Sequence, residues 1–299
     1  MSTINRLVIP EMDAILGKEF PVLDKGFIRV IDYMGGDAAV VQAARVSYGA
    51  GTKKVNEDRG LIRYLMRHSH TTPLEMCELK LHMKLPIFVA RQLIRHRTAS
   101  VNEYSARYSE VKDEFYLPER DRVQLQSLIN KQGSGDVAEG DRVDAFIEKT
   151  LDTQLTAIEN YREFNDVEQG QIAKELNRIN MPVANYTEWY WKVDLHNLLR
   201  FVSLRSDKHA QLEIRVYSDV ILNEILPRWV PIVYEAFKDY DHRQSGAQLS
   251  KFEMNTVRKL LSSLSEDVIR YTLAEQSSNN ISVREVDEFI NKLKEQHVE

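Results

Sequence analysis

The sequence predicts a mixed α/β (α+β) fold: one large domain followed by a helical C-terminal extension. Three observations carry that prediction. Leu79 to Leu85 alternates apolar and polar side chains with a strict period of two, the pattern of a half-buried strand. Stretches between Arg142 and Leu226 place their apolar residues at helical spacing instead. Beyond Gln244 the composition turns polar and serine-rich, so residues 1–244 are read as the main domain and 245–299 as the extension.

Taken in chain order, Gly26 to Asp32 sets Phe27, Arg29 and Ile31 against Ile28 and Val30, and its β-branched content favours a strand that ends at Gly35 and Gly36. Asp37 stands at an N-cap position ahead of an alanine-rich helix from Ala38 to Val46. A second helix spans Glu57 to His68, with Leu61, Ile62, Leu65 and Met66 in register, and Thr71-Thr72-Pro73 breaks it. After the strand at Leu79, Pro86 suits the first turn of a helix from Ile87 to Arg97. On that helix Arg91 and Arg95 are four apart and Gln92 is three before Arg95, so these polar groups share a side. Lys131 to Gly140 is glycine-rich and polar, a surface connection. Helices are expected at Arg142 to Phe164, Gln169 to Arg178, Asp194 to Leu204, with Asp194 as N-cap, and Ser206 to Leu226. A terminal helix follows Ser282, where Ser-Val-Arg-Glu satisfies the capping-box pattern.

Composition bounds the function. The chain has 299 residues, 43% of them hydrophobic, and a net charge of −5, without the basic excess of a dedicated nucleic-acid binder. Any anion site is therefore local. The single cysteine, Cys77, makes no intramolecular disulfide and no zinc site of several thiolates, which fits a reducing compartment. Apolar runs such as Leu85 to Ala90 and Trp229 to Tyr234 are far short of the ~20 residues that span a bilayer. Met1 to Gly26 lacks the apolar block of a secretory signal. The expectation is a cytoplasmic protein with neither membrane nor nucleic acid as partner.

The chemistry concentrates between Pro86 and Tyr108, where Arg91, Arg95, Arg97 and Arg107 face a single acid, Glu103. Guanidinium forks make bidentate, charge-assisted hydrogen bonds to phosphate, and hydroxyls such as Ser100 and Ser105 add neutral donors. A phosphorylated small molecule is one ligand these residue types suit; arginines paired with acids elsewhere, holding a turn, are the other reading, and composition leaves both open. Cys77 has no basic neighbour to lower its pKa, which argues against a nucleophile. His68, His70 and Glu75 lack the spacing of a metal site, and no metal is expected. Trp189, Tyr190 and Trp191 read first as packing residues. There is no glycine-rich phosphate loop, so any dinucleotide is bound outside a Rossmann motif.

The order Arg95-His96-Arg97, then seven residues to Ser105, resembles the signature of the flavin-dependent thymidylate synthases. Asn102-Glu103 and Arg107-Tyr108 extend the likeness, as do Ala43 to Ser47, His70 to Glu75, Phe88 to Gln92, Arg178 to Pro182 and Leu204 to Gln211. The resemblance covers roughly residues 26–240. It implies the fold of that family, a mainly antiparallel sheet packed with long helices. It also implies reductive methylation of deoxyuridine monophosphate, with methylenetetrahydrofolate as one-carbon donor and FAD, reduced by NADPH, as hydride donor.

Carried over position by position, Gln92, Leu93, Ile94 and Arg95 would contact the nucleotide, together with Glu103, Tyr104, Ser105, Ala106 and Arg107. Arg178 and Arg205 would join them, Arg205 beside the uracil as the catalytic residue. FAD would lie on His70 and Thr72, on Arg95, His96, Arg97 and Glu103, on Asp194, Leu195, His196 and Arg200, and on His209. His209, four residues after Arg205, shares its side if a helix begins there. In this family each site is shared between subunits of a homotetramer. Ala106 stands where some members have glycine, and Asp194 and Arg200 at positions that vary. The rival is a nucleotide-binding regulatory protein that kept the arginines without redox chemistry.

Overall fold

The alternation at Leu79 to Leu85 is realised as the longest-paired strand of a sheet, and the main unit is arranged around it. A computed structural model describes residues 7–46, 55–128, 133–244, 249–276 and 281–294. The chain divides into two compact units, Met1–Gln244 and Ser245–Glu299. Ser47, and residues 131–132 of the surface connection, lie outside the described residues.

The first unit begins with α1 (Pro10–Asp13), β1 (Glu19–Val22), β2 (Gly26–Met34), α2 (Asp37–Val46), α3 (Val55–Arg67) and α4 (Thr72–Glu75). It continues through β3 (Glu78–Pro86), α5 (Ile87–Leu93), β4 (Ser100–Glu103), the ribbon β5 (Gln124–Gln126) and β6 (Ser134–Val137), and the long α6 (Gly140–Glu163). Then come α7 (Lys174–Asn177), β7 (Tyr186–Asp194), α8 (Leu195–Arg205), α9 (Leu212–Val220), a π-helical turn at Ile221–Ile225, α10 (Leu226–Trp229) and α11 (Pro231–Tyr240). The second unit is α12 (Lys251–Leu261), α13 (Glu266–Gln276) and α14 (Val283–Lys294). In α14 the expected capping box forms: the Glu285 amide donates to Ser282 Oγ, and the Ser282 amide to Glu285 Oε2.

Among the described residues the main sheet is antiparallel, in the order β1-β2-β3-β7-β4. Its inner face is apolar. Leu79, Leu81, Met83 and Leu85 of β3 and Trp189, Trp191 and Val193 of β7 pack against Leu198, Phe201 and Val202 of α8, with Tyr217, Trp229 and Phe237 behind them. Each such fully buried side chain contributes about 1.5–3 kcal/mol relative to exposure. The outer face carries His82, Glu188 and Tyr190, so one side of the sheet is solvated. Glycine is required at Gly26, where a Cβ would collide with the Tyr217 hydroxyl; that hydroxyl donates to the Lys84 carbonyl at 2.7 Å.

Several expected elements differ. Asp37 lies inside α2 rather than capping it, and its carboxylate accepts the amides of Ile232 and Val233 at 2.8 and 3.0 Å, capping α11 instead. The helix after Pro86 stops at Leu93, because the amides of Arg95 and His96 turn back to Gln92 and Leu93 and the chain leaves to pair β4 with β7. Between Gln169 and Arg178 only α7 is α-helical: Gly170 adopts φ +84° and Asp166 captures the Glu168 amide. Residues 206–211 are not helical, since Asp207 Oδ1 accepts the His209 amide at 2.8 Å. β7 was legible as alternation but hidden by its aromatic run; Trp189 and Trp191 face the core, and Tyr190 stacks on His82 at 5.1 Å.

Candidate functional site

The signature stretch leaves α5, turns, and runs along β4 at the edge of the sheet, which spreads its side chains over two clefts. The first, about 250 Å³, is lined by Arg95, His96, Arg97, Arg200 and Arg205, with Trp191 at its base. Arg205 is the last residue of α8, and its Nε donates to His96 Nε2 at 3.1 Å. That bond requires a neutral His96 with an unprotonated Nε2. Burial, followed by the charges of Arg205 and Arg200, pushes His96 down to about 4, so it is an acceptor at neutral pH. Its ring is held edge-on against Phe201 at 4.9 Å. Burial also lowers Arg205 from its ordinary value, but an arginine stays protonated at neutral pH. With Nε committed to His96, the terminal nitrogens of Arg205 have no other partner among the described residues. Trp191 adds a buried Nε1 with no partner among the described residues.

The second cleft, about 340 Å³, brings Glu103, Tyr104, Ser105 and Ala106 together with Arg178. Thr187 donates to Glu103 Oε1 at 2.8 Å and fixes that carboxylate. Glu188, on the same wall, pairs with His82 at 2.8 Å and with Lys112. Burial pushes the Glu188 carboxyl up, but the hydrogen bonds from Lys112 and His82 outweigh it and leave the group below the usual carboxylate range. Neither Lys112 nor Glu188 was singled out in the sequence; the alternation of β7 is the signal that would have placed Glu188 on the open face. Ala106 is not among the positive-φ residues, so alanine is accommodated there.

A third cleft, also about 340 Å³, holds His70, His196 and Arg200. Arg200 lines both this cleft and the first.

The remaining expected contacts lie elsewhere. Gln92 reaches Gln211, which donates to Glu213 at 2.8 Å, and Glu213 in turn binds Arg122 through both oxygens. Arg107 pairs with Glu175 at 2.8 Å. Leu93 and Leu195 are fully buried, so their side chains belong to the core. Asp194 is the N-cap of α8, with its two oxygens taken by the Asn197 amide and side chain. Thr72 and Ile94 are exposed and line none of these clefts. His209 does not share a helical side with Arg205: α8 has ended, and His209 is exposed and bonded to Asp207. Cys77 is buried, its thiol donating to the Gly36 carbonyl, and burial pushes it up to about 11. Among the described residues no group of three or more His, Cys, Asp or Glu is arranged to hold a metal ion, and no helix is long and apolar enough to cross a membrane.

Residues 29–232 match the family described as thymidylate synthase complementing protein. A flavin-dependent thymidylate synthase of Wolbachia pipientis wMel is 51% identical over 291 residues, covering 97% of this chain and 98% of that relative. One of Ruegeria pomeroyi is 50% identical over 285 residues, covering 95% and 91%. Among solved structures, the UMP/dUMP methylase PolB from Streptomyces cacaoi, bound with 5-Br dUMP, superposes with a TM-score of 0.66 at 30% identity and covers 74% of this chain and 98% of that one.

Proposed function

The chain belongs to the flavin-dependent thymidylate synthase family, and from that premise we propose that it converts deoxyuridine monophosphate to thymidine monophosphate. In this reading methylenetetrahydrofolate gives the one-carbon unit, and FAD, reduced by NADPH, supplies the hydride when bound. The observation that carries the reading is the Arg205–His96 pair in a cleft flanked by Arg95 and Arg97.

C5 of uracil is a poor nucleophile until negative charge is drawn into the ring. The planar fork of Arg205, placed against the ring edge at N3 and its neighbouring carbonyls, stabilises that charge, and neutral His96 holds the fork in position without adding a competing cation. No thiolate is called on, in keeping with a buried, protonated Cys77. Arg178 and Ser105 are assigned to the nucleotide, with Glu103 oriented by Thr187. For the flavin, the donor set fits: His70, His196 and Arg200 line an apolar-floored cleft and Arg95 to Arg97 line a second one, with Arg200 common to both.

The proposed nucleotide residues that line a cleft are divided between two within one chain, Glu103 to Ala106 with Arg178 in one and Arg95 with Arg205 in the other, which supports sites shared between subunits of a homotetramer. Residues 1–244 are assigned to the synthase, 245–299 to an extension, and the protein to the cytoplasm. A regulatory protein that only held nucleotide would have no use for an Arg205 poised on His96. The test is direct: the purified protein, given the nucleotide, methylenetetrahydrofolate and NADPH under nitrogen, forms thymidine monophosphate and carries FAD as its released chromophore. A colourless protein that cannot be reconstituted with FAD, or one that forms no product when loaded, defeats the proposal.

A further inference from the structure

Behind Gln92, which the family resemblance assigns to the nucleotide, runs a relay of side chains that ends on Glu213, a residue to which the resemblance assigns nothing. Resting on the synthase reading, we propose that Glu213 is a positioning residue: through Gln211 it fixes the direction of the Gln92 carboxamide, so that Gln92 meets the nucleotide with its carbonyl oxygen. Glu213 lies in the first turn of α9 and is only 3% exposed. Its Oε1 accepts Arg122 Nε at 2.6 Å and the Tyr116 hydroxyl at 3.2 Å. Its Oε2 accepts Arg122 Nη2 at 3.0 Å and Gln211 Nε2 at 2.8 Å. These bonds fill the roughly four acceptor sites of a carboxylate.

The direction of the relay follows from what each group is able to do. Burial pushes the Glu213 carboxyl up, but hydrogen bonds from Arg122 and Gln211 outweigh it and leave the group below the usual carboxylate range. Glu213 is therefore ionised at neutral pH and only accepts. Gln211 has to turn its amide nitrogen to that carboxylate, which leaves its Oε1 facing Gln92. Gln92 accordingly donates with Nε2, and its own Oε1 has no partner among the described residues. A glutamine alone on a helix surface is free to present either end of its amide, since the two ends differ little in shape. The buried carboxylate takes that freedom from Gln92 although the two never touch.

The carboxylate is itself a fixed reference. Arg122 grips it through both oxygens, and Arg122 Nη1 also donates to Ser134 Oγ of β6 at 3.1 Å, so Glu213 is held between α9 and the ribbon β5–β6. An outward carbonyl on Gln92 suits a donor on the ligand, and deoxyuridine monophosphate has few. Its ionised phosphate and its uracil carbonyls accept, whereas its donors are the sugar 3′-hydroxyl and the uracil N3–H. The N3 edge is assigned to Arg205 at the end of α8, so the sugar hydroxyl is the donor left for Gln92.

The test compares the flavin-loaded full-length parent with Glu213→Gln, Gln92→Leu and the double variant. Calorimetric titration gives the Kd for deoxyuridine monophosphate and for its 2′,3′-dideoxy analogue, which lacks the 3′-hydroxyl. Glu213→Gln keeps the shape of the side chain but offers Gln211 either a donor or an acceptor, so the direction of Gln92 is no longer dictated. It is expected to raise the Kd for the nucleotide about three- to tenfold, the scale of one neutral hydrogen bond, with little change in turnover at saturation and none in the Kd for the analogue. Gln92→Leu shows the same selective loss, and adding Glu213→Gln to it brings no further loss, because the carboxylate acts only through Gln92. Where a half-paired Arg122 prevents Glu213→Gln from folding, Gln211→Leu breaks the relay at an exposed position and carries the same expectations. Equal weakening of nucleotide and analogue, losses that add in the double variant, or parental affinity in the single variants overturns the proposal. A parent protein that binds no deoxyuridine monophosphate defeats the underlying synthase reading, whereas a binding parent matched by its variants defeats this inference alone.

Discussion

At Arg205 charge and geometry are separable, which makes it the sharpest residue to change. Arg205→Lys keeps a cation at the end of α8 but cannot present a planar fork while also bonding His96. Turnover is expected to fall about 100- to 1,000-fold with nucleotide binding largely kept, read as single-turnover flavin reoxidation at saturating nucleotide. Reoxidation at the parent rate would make Arg205 a binding residue only. His96 tests the support of that arginine through pH. The folded protein holds its pKa down at about 4, against 6.5 ordinarily, so between those values the unfolded chain binds the proton and the folded one does not. Stability is therefore lost as pH falls through that window. His96→Gln, which keeps an acceptor but does not titrate, should remove this part of the slope in urea unfolding measured from pH 7 to 4; an unchanged slope would show that His96 is not the group responsible. Cys77→Ala should leave turnover nearly parental, because a buried thiol raised to about 11 has neither the charge nor the access to attack a substrate. Complete loss in a folded, flavin-loaded variant would refute that.

The element scale is set by caps and edges. Asp37, on α2, caps α11 by accepting the Ile232 and Val233 amides, and Asp37→Ala should cost ~1–2 kcal/mol, as loss of an N-cap does. Burial raises Asp37 to about 6 despite those two hydrogen bonds. The folded chain thus keeps a proton that the unfolded chain releases near 3.8, a contribution fully present below that value and lost as pH rises through about 6. This slope opposes that of His96 in an overlapping window, so Asp37→Asn should make stability rise more steeply with pH between 4 and 6, where His96→Gln makes it rise less. If Asp37→Asn leaves the curve unaltered, the carboxylate titrates alike in both states. The same α11 ends in the turn that carries His242 and Arg243, so its cap bears on the geometry of the third cleft as well as on stability.

For the whole molecule, the division of the proposed nucleotide residues between the Arg178 cleft and the Arg205 cleft predicts complementation. Arg178→Ala and Arg205→Ala should each be nearly inactive alone, and co-expression should restore part of the parental turnover in mixed oligomers, checked by separating the mixed species and assaying it; mixed oligomers as inactive as either parent variant would mean that one chain carries the whole site. The sequence by itself determined the features that depend on neighbours a few residues away. The period-two run of β3, Asp194 as the cap of α8 and the cationic stretch from Arg91 to Arg107 are properties of local spacing and side-chain type, and the resemblance named the chemistry from that same order of residues. Only the tertiary structure decided what depends on distant partners. Pairing of β4 with β7 ends α5 early, Asp37 caps a helix 195 positions away, and Arg205 finds its acceptor 109 positions back in His96. His242 and Arg243 are unremarkable in a polar stretch until the turn at Asp241 brings them opposite α8. The physical reason is that long-range contacts are selected by burial of the whole core and by satisfaction of the polar groups it leaves, and neither quantity is defined within a window of sequence.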